Sequence, residues 1–530
     1  MRKTDGFTGT GALVRLALRR DRIRIPVWVV SVVGLLYFSA ASQPGLYQTQ
    51  EQIDAYGRMV TQSSATVAIA GPVTGLDSLR GIVMYETYLT VISAVSILAV
   101  LMMSRHTRAE EESGRTELLR ATEVGRHAGA AAALIATSGT CLLIGAGMAL
   151  VLPATPLTLA DSLVYGAAMS ALGIFMAALT LCFAQVFVHS RSVSGAGLAA
   201  FLVFYLVRAI GDVRDDATVW FTPIGWAQAT RVPTEDRLWP VLLPLLGSVL
   251  LLAVAVRLAE RRDFGAGLLP SRSGPARASR LLSGPVGLAW RQQRGALLAW
   301  SVALGLCGAL IGTLGTSMQD MVRDNPALAD YLASTQAGSV IDAYQATFAL
   351  IMTLAIAGYA IWAAGRVLTE EGEGRTELVI AGPVGRVRSV VSDLVVAGGG
   401  VLVLLVVAGF SSGASYAAVV GDRAQGLRIL VAPLIYFPAI AVLLGVLLLA
   451  YGWAPHWTWV GWLVLAFEVV IGWLGGVLGL PDWIYQFSVF DRAPRYPAED
   501  LSAAPLLAMG AGAALLLSVG LVGFRRRDLR

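Results

Sequence analysis

Apolar runs recur along the chain, each near the length of about 20 residues that a helix needs to cross a bilayer. One series falls near 25–42, 81–104, 128–152, 158–188, 194–210 and 238–258. A second falls near 294–315, 342–364, 390–411, 428–453, 458–478 and 505–523. The pattern predicts an all-α integral membrane protein of about twelve spans, six in each half. A basic amphipathic segment precedes each series. In the first it covers 9–24, where Leu13, Leu16 and Ala17 oppose Arg15, Arg19 and Arg22. In the second it runs over about Arg280–Arg294, with Leu281, Leu282, Val286 and Trp290. Such helices lie in the membrane interface and are expected here as elbows into each half.

One polar island interrupts each series after its second span. Residues Glu110–Arg126 read EEESGRTELLRATEVGR, and Glu370–Arg386 read EEGEGRTELVIAGPVGR. Glu110, Glu111, Gly114, Arg115, Thr116, Glu117, Leu118, Val124, Gly125 and Arg126 recur 260 residues later. The halves also end alike, since Arg261-Arg262-Asp263 matches Arg526-Arg527-Asp528 at an offset of 265. Before the last span, Arg231-Val232-Pro233 loosely matches Arg495-Tyr496-Pro497. An internal repeat of this kind predicts two tandem halves of one topology. Their expected limits are 1–263, with a charged loop at 105–127, and 286–530, with a charged loop at 365–388. A Pro/Gly/Ser/Arg stretch at 264–285 joins them. Longer connections on the opposite face fall near 43–80, 211–237, 316–341 and 479–504; the last three carry Pro with Trp or Tyr and read as short re-entrant or interfacial caps, with plain aromatic-belt residues as the competing reading.

Composition supports the membrane reading. Only 14% of the 530 residues are charged, against about 25% in soluble domains, and the mean hydropathy is +0.67. The net charge of +5 comes from arginines in several short loops, which argues against a nucleic-acid patch. Arg15 to Arg24, Arg105 to Arg126, Arg257 to Arg280 and Arg525 to Arg530 fall on one face. By the positive-inside rule that face is the cytoplasm, with both termini inside. No cleaved signal is expected. Lys3 is the single lysine, a bias that points to a GC-rich bacterial genome and so to a bacterial plasma membrane. Cys141, Cys182 and Cys307 sit inside apolar runs, as small core residues do.

Within the island, Gly114 is expected to break the helix and leave a helix–turn–helix stub with Glu111 and Glu117 exposed. Two such stubs, one per half, suit docking of a dimeric soluble partner. The alternative is a solvated loop whose charges hold topology. The positive-inside rule accounts for arginines, yet it does not ask for glutamates at fixed places. The E-E-x-x-G-R-x-E-L…V-G-R pattern resembles the coupling-loop motif of ABC exporter permeases. The fused version resembles the actinobacterial family of polyketide-antibiotic exporters, the tetronasin-type multidrug permeases. The resemblance implies a type II ABC exporter-like fold and a coupling helix seated in an ATP-binding subunit. It assigns that role to Glu110, Glu111, Gly114, Arg115 and Glu117, and to Glu370, Glu371, Gly374, Arg375 and Glu377. It also implies two copies, or a heterodimer, of that subunit, which would bind ATP and Mg. One departure is that Gly372 stands where Glu112 does, and Glu373 where Ser113 does.

The chain lacks the G-x-x-x-x-G-K-[ST] phosphate loop, and its one lysine is Lys3. No cofactor and no metal site is expected in the chain itself. Ionisable groups inside spans are costly and draw attention. Glu86, Glu468, Arg208, near Asp212, and Asp393 qualify; Arg208 is expected at the interface, and Glu86 reads either as a membrane-interface residue or as the partner of an arginine near the outer end. Glu86, Glu468, Tyr85, Tyr88, Phe348 and Tyr359 are candidates to line a cavity for a small hydrophobic substrate; plain helix packing is the competing reading. A secondary drug/proton antiporter using Glu86 and Glu468 is the alternative function. An enzyme of envelope lipid synthesis is a third, weakened by the lack of an Asp/Glu/His cluster.

Overall fold

A computed structural model describes residues 6–527, apart from 63–66, 69, 72–73, 116–122, 264, 270–276, 280–281, 283, 314–339 and 475–481. Most of the connection at 264–285, the segment 316–339 and Glu117 therefore lie outside the described residues. Among the described residues every regular element is helical, with no strand. Among the described residues eleven helices are long and apolar enough to cross a membrane. The run at 458–478 is the exception. A helix covers Val460–Val469 and a π-helical turn covers Val470–Leu474, and its remainder falls outside the described residues.

The chain divides into two compact units, Met1–Gly274 and Pro275–Arg530. The first comprises α1 (Thr10–Arg20), α2 (Arg24–Leu46), α3 (Gln50–Gln62), α4 (Leu79–Ser104), α5 (Ala128–Val151), α6 (Leu159–Val186), α7 (Ser190–Arg214), α8 (Pro223–Gln228) and α9 (Leu242–Glu260). Helix α6 is the most enclosed span. Small residues let its neighbours close in, as they do in membrane bundles generally. A Cβ on Gly145 would stand 2.4 Å from the Gly166 carbonyl, and one on Gly173 would stand 2.6 Å from Cys141 Sγ. The outer faces of α2 and α9 carry exposed Val30, Leu35, Leu246 and Leu250, the side chains a lipid solvent accepts. Asp21, 2% exposed, ends α1 by turning to Arg105 and to His106 Nε2, the latter at 2.6 Å. Pro26, two residues into α2, has no N–H to lose at a helix start.

At the end of the first unit away from the charged loop, Thr158 and Asp161 form a capping box at the start of α6. Asp161 is buried, with Arg80 Nη1 at 3.4 Å. Burial and the neighbouring Asp161 carboxylate push Asp236 up to about 6 from its ordinary 3.8. A carboxyl held protonated in this way stabilises the fold at low pH, and that contribution is lost as pH rises through about 6. Asp236→Asn is therefore expected to raise the unfolding temperature at pH 7.5 relative to the natural chain and to leave it unchanged at pH 4. Equal shifts at both pH values would contradict this.

The second unit comprises α10 (Pro285–Thr313), α11 (Val340–Gly372), α12 (Arg375–Ile380), α13 (Arg386–Val420), α14 (Arg423–Val431), α15 (Phe437–Trp453), α16 (Val460–Val469), α17 (Asp482–Tyr485) and α18 (Ala503–Arg526). Here the elbow expected before the first span is not separate. It continues into the span as one helix, because α10 holds no proline after Pro285 and no counterpart of the Asp21 turn. Gly308 and Gly312 of α10 meet Ser411, Ser412 and Ser415 of α13 closely enough to exclude a Cβ. The Val232–Pro233 and Tyr496–Pro497 bonds are both cis.

Candidate functional site

The charged islands form hinges at helix ends. In the first unit α4 passes through a π-helical turn, Arg105–Ala109, into a short helical stretch, Glu110–Glu112. Gly114 then takes φ 72, and in the second unit Gly374 takes φ 71. That left-handed conformation favours glycine, and it re-aims the chain as the sequence leads one to expect. In the second unit α12 follows at once. Gly374→Ala is expected to cost about 1 kcal/mol, read as a lower unfolding temperature, with Gly374→Asn closer to the natural chain. A Cβ there meets open space, so the effect comes from the backbone alone.

The first two glutamates of each island are wired, not free. Glu110 pairs with Arg20 of the elbow and, at 3.9 Å, with Arg115. Its counterpart Glu370 accepts from Arg375 Nε at 2.7 Å and from Arg366 Nη2 at 3.4 Å. The bond to Glu370 raises the Arg375 guanidinium above its ordinary value. Glu111 accepts from Arg108 Nη1 at 2.7 Å and from both Nη atoms of Arg262, at 2.7 and 3.1 Å. Arg108 is 1% exposed and also donates to the carbonyls of Ala184 and Ala266. In the second unit Glu371 takes both oxygens to Arg527 Nη2 at 2.5 Å and accepts from Tyr451 Oη at 2.7 Å.

Two separate sequence matches thus meet in space. The second glutamate of each island grips the second arginine of the Arg-Arg-Asp string that closes its own unit. The expectation that Glu111 stands exposed is corrected: its side chain is 14% exposed, and that of Glu371 is 13%. Two guanidinia enclose the first, and an arginine with a tyrosine encloses the second. Glu377 is exposed on α12, beside Leu378 at 77%. The mismatch at 112 and 372 has a local consequence. Glu112 accepts from the backbone N–H of Ser190 at 3.0 Å, at the start of α7, and Gly372 has no side chain to do so.

The membrane-embedded candidates scatter. Glu468, 1% exposed, accepts from Ser488 Oγ at 2.5 Å and from Val489 N at 2.8 Å, so it anchors the 488–490 loop. Glu86 is hydrogen-bonded by Tyr56, and among the described residues no arginine pairs with it. Tyr85 and Tyr88 line a small cavity of about 40 Å³ with Gln228. Phe348 packs on Tyr344 at 4.7 Å between ring centres. Tyr359 is fully buried in the core of the second unit, where a Cβ on Gly400 would meet its Oη at 2.4 Å. Arg208 is 2% exposed, enclosed by the protein around it. It reaches Asp212 at 3.0 Å and the Ala68 carbonyl at 3.2 Å and lies over the Tyr205 ring. The string Gly409-Phe410-Ser411-Ser412-Gly413 spells a hydrolase-like G-x-S-x-G, which requires a strand-to-helix elbow. It lies inside α13, and its glycines abut the backbones of Leu430 and Gly426.

These features define a multi-pass, all-helical integral membrane protein whose organised polar chemistry lies in two wired hinges. A family model described as the C-terminal domain of the multidrug efflux system permease Rv1217c matches residues 282–525. The chain is 36% identical to the multidrug efflux system permease protein Rv1217c of Mycobacterium tuberculosis (strain ATCC 25618 / H37Rv), over 99% of this chain and 96% of that protein. The chain belongs to the family of that permease. The comparisons give no support for the antiporter alternative.

Proposed function

We propose that the chain is the transmembrane permease subunit of an ATP-driven exporter of hydrophobic, drug-like or antibiotic molecules. In this reading the hinges at Glu110–Arg126 and Glu370–Arg386 seat a separate ATP-binding subunit, as two copies or a heterodimer, which binds ATP and Mg. The two units are half-transporters of one topology, both termini lie in the cytoplasm, and polyketide antibiotics are the narrower substrate class. The observation that carries the reading is the matched pair of bridges, Glu111–Arg262 and Glu371–Arg527. Each ties the base of a hinge to the closing helix of the same unit. A load on the exposed tip therefore reaches two spans at once. ATP shifts the conformational equilibrium only if the partner binds it more tightly in one state than in the other.

Purification of the tagged chain from its native membrane tests this. The reading expects two ATP-binding subunits per chain, alike or different. A chain that purifies alone and still moves drug would refute it.

A further inference from the structure

We propose that the first unit holds a binding site for an amphiphile with a hydrocarbon tail and an anionic, hydroxyl-bearing head. A cavity of about 740 Å³ opens beneath the elbow, between α1, α5, α6 and α9. That volume is in the range of small-molecule pockets, about 300–1,000 Å³. Its deep wall is apolar: Ala133, Leu134, Leu181, Leu252 and Ala255. It extends along α9 from Leu252 to Ala259, about 10 Å at the helical rise.

Two groups at this cavity await a ligand. Arg126 lies at the mouth, held by a 2.7 Å bond from Nη2 to the Ala259 carbonyl, and no described carboxylate forms an ion pair with it. Gln185, 4% exposed, lines the wall, and its buried Oε1 accepts no hydrogen bond among the described residues. An unsatisfied buried acceptor is costly; a turn of the Gln185 amide toward the cavity lets a hydroxyl donor there remove that cost. Glu110 and Glu111 also line the cavity, so an occupant touches the hinge.

The second unit explains why the cavity exists. The residues 260 to 265 positions later are larger: Val390 for Ala130, Asp393 for Ala133 and Phe524 for Ala259. They line a space of only about 40 Å³, with Phe524 stacked on Tyr451 at 5.2 Å. Among the described residues, the three alanines of the first unit thus coincide with the large cavity and their bulkier counterparts with the small one. The inference stands apart from the ATPase reading.

The probe is phosphatidylglycerol with a diazirine in one acyl chain, in vesicles holding the full chain. Crosslinks are expected on Ala130–Leu134 and Leu252–Ala259, falling at least tenfold in Ala259→Phe. Arg126→Ala should weaken labelling by this lipid several-fold and leave labelling by the phosphatidylcholine analogue unchanged. Dodecyl phosphate added from solution separates the sources. Its competition marks a soluble amphiphile as an occupant, and labelling that resists it marks the bilayer lipid; either supports the site. Ala130→Val carries the same expectation should Ala259→Phe fail to fold. Labelling unchanged in the filled variants, or absent from these helices in the natural chain, would overturn the proposal.

Discussion

Glu111→Gln is expected to destabilise the first unit by on the order of 3 kcal/mol and to cut drug efflux at least tenfold. The substitution leaves two guanidinia without their counter-ion. Arg108 is 1% exposed and Arg262 is 12% exposed, so water replaces little of what is lost. Removing one partner of such a network costs more than the pair contributes, because the remaining charge stays desolvated. Adding Arg262→Gln should restore part of the stability, since it removes one stranded charge. Efflux should stay low, because the tie between hinge and closing helix is still cut. A double-mutant cycle read by thermal unfolding and by efflux separates the two effects. Glu371→Gln should behave alike with a smaller loss, as it strands only Arg527, whose guanidinium also lies 4.7 Å from the Tyr451 ring centre.

The second large effect leaves the fold alone. Glu377→Arg combined with Leu378→Asp is expected to leave the unfolding temperature within experimental error, because both side chains are exposed and such surface changes usually stay within about 0.5 kcal/mol. Association with the ATP-binding subunit should fall at least tenfold, and efflux with it. A protruding leucine beside a charge is the kind of contact whose loss weakens an interface strongly. Glu117, at the matching position of the first hinge, is expected to act in the same direction. Undiminished co-purification of the partner would show that the tip is not the docking surface.

The spans were legible because apolar composition reports directly on the solvent around a helix. The hinges were legible too, since a glycine after a run of glutamates marks a left-handed turn, and Gly114 and Gly374 adopt one. The wiring was not. Glu111 and Arg262 are 151 residues apart, and no local rule pairs them, although both stood out as repeated. For Arg208 the nearness of Asp212 was legible, four residues on, but the Ala68 carbonyl, 140 residues away, was not. Cavity lining and buried packing stayed open for Glu468, because the Ser488 that bonds it lies 20 residues further along the chain. The fused elbow of α10 turns on what is missing, a proline and an Asp21 equivalent, and an absence carries little pattern. The first-unit cavity was hidden in alanines that read as ordinary small packing residues until Phe524 showed what fills the same place.

Drug transport by the chain reconstituted in vesicles with its co-purified ATP-binding subunit tests the central claim most directly. The account predicts transport that requires both ATP and the partner, persists without any proton gradient, and disappears in the Glu377→Arg, Leu378→Asp chain. Transport by the chain alone, driven by an imposed proton gradient and indifferent to ATP, would contradict it.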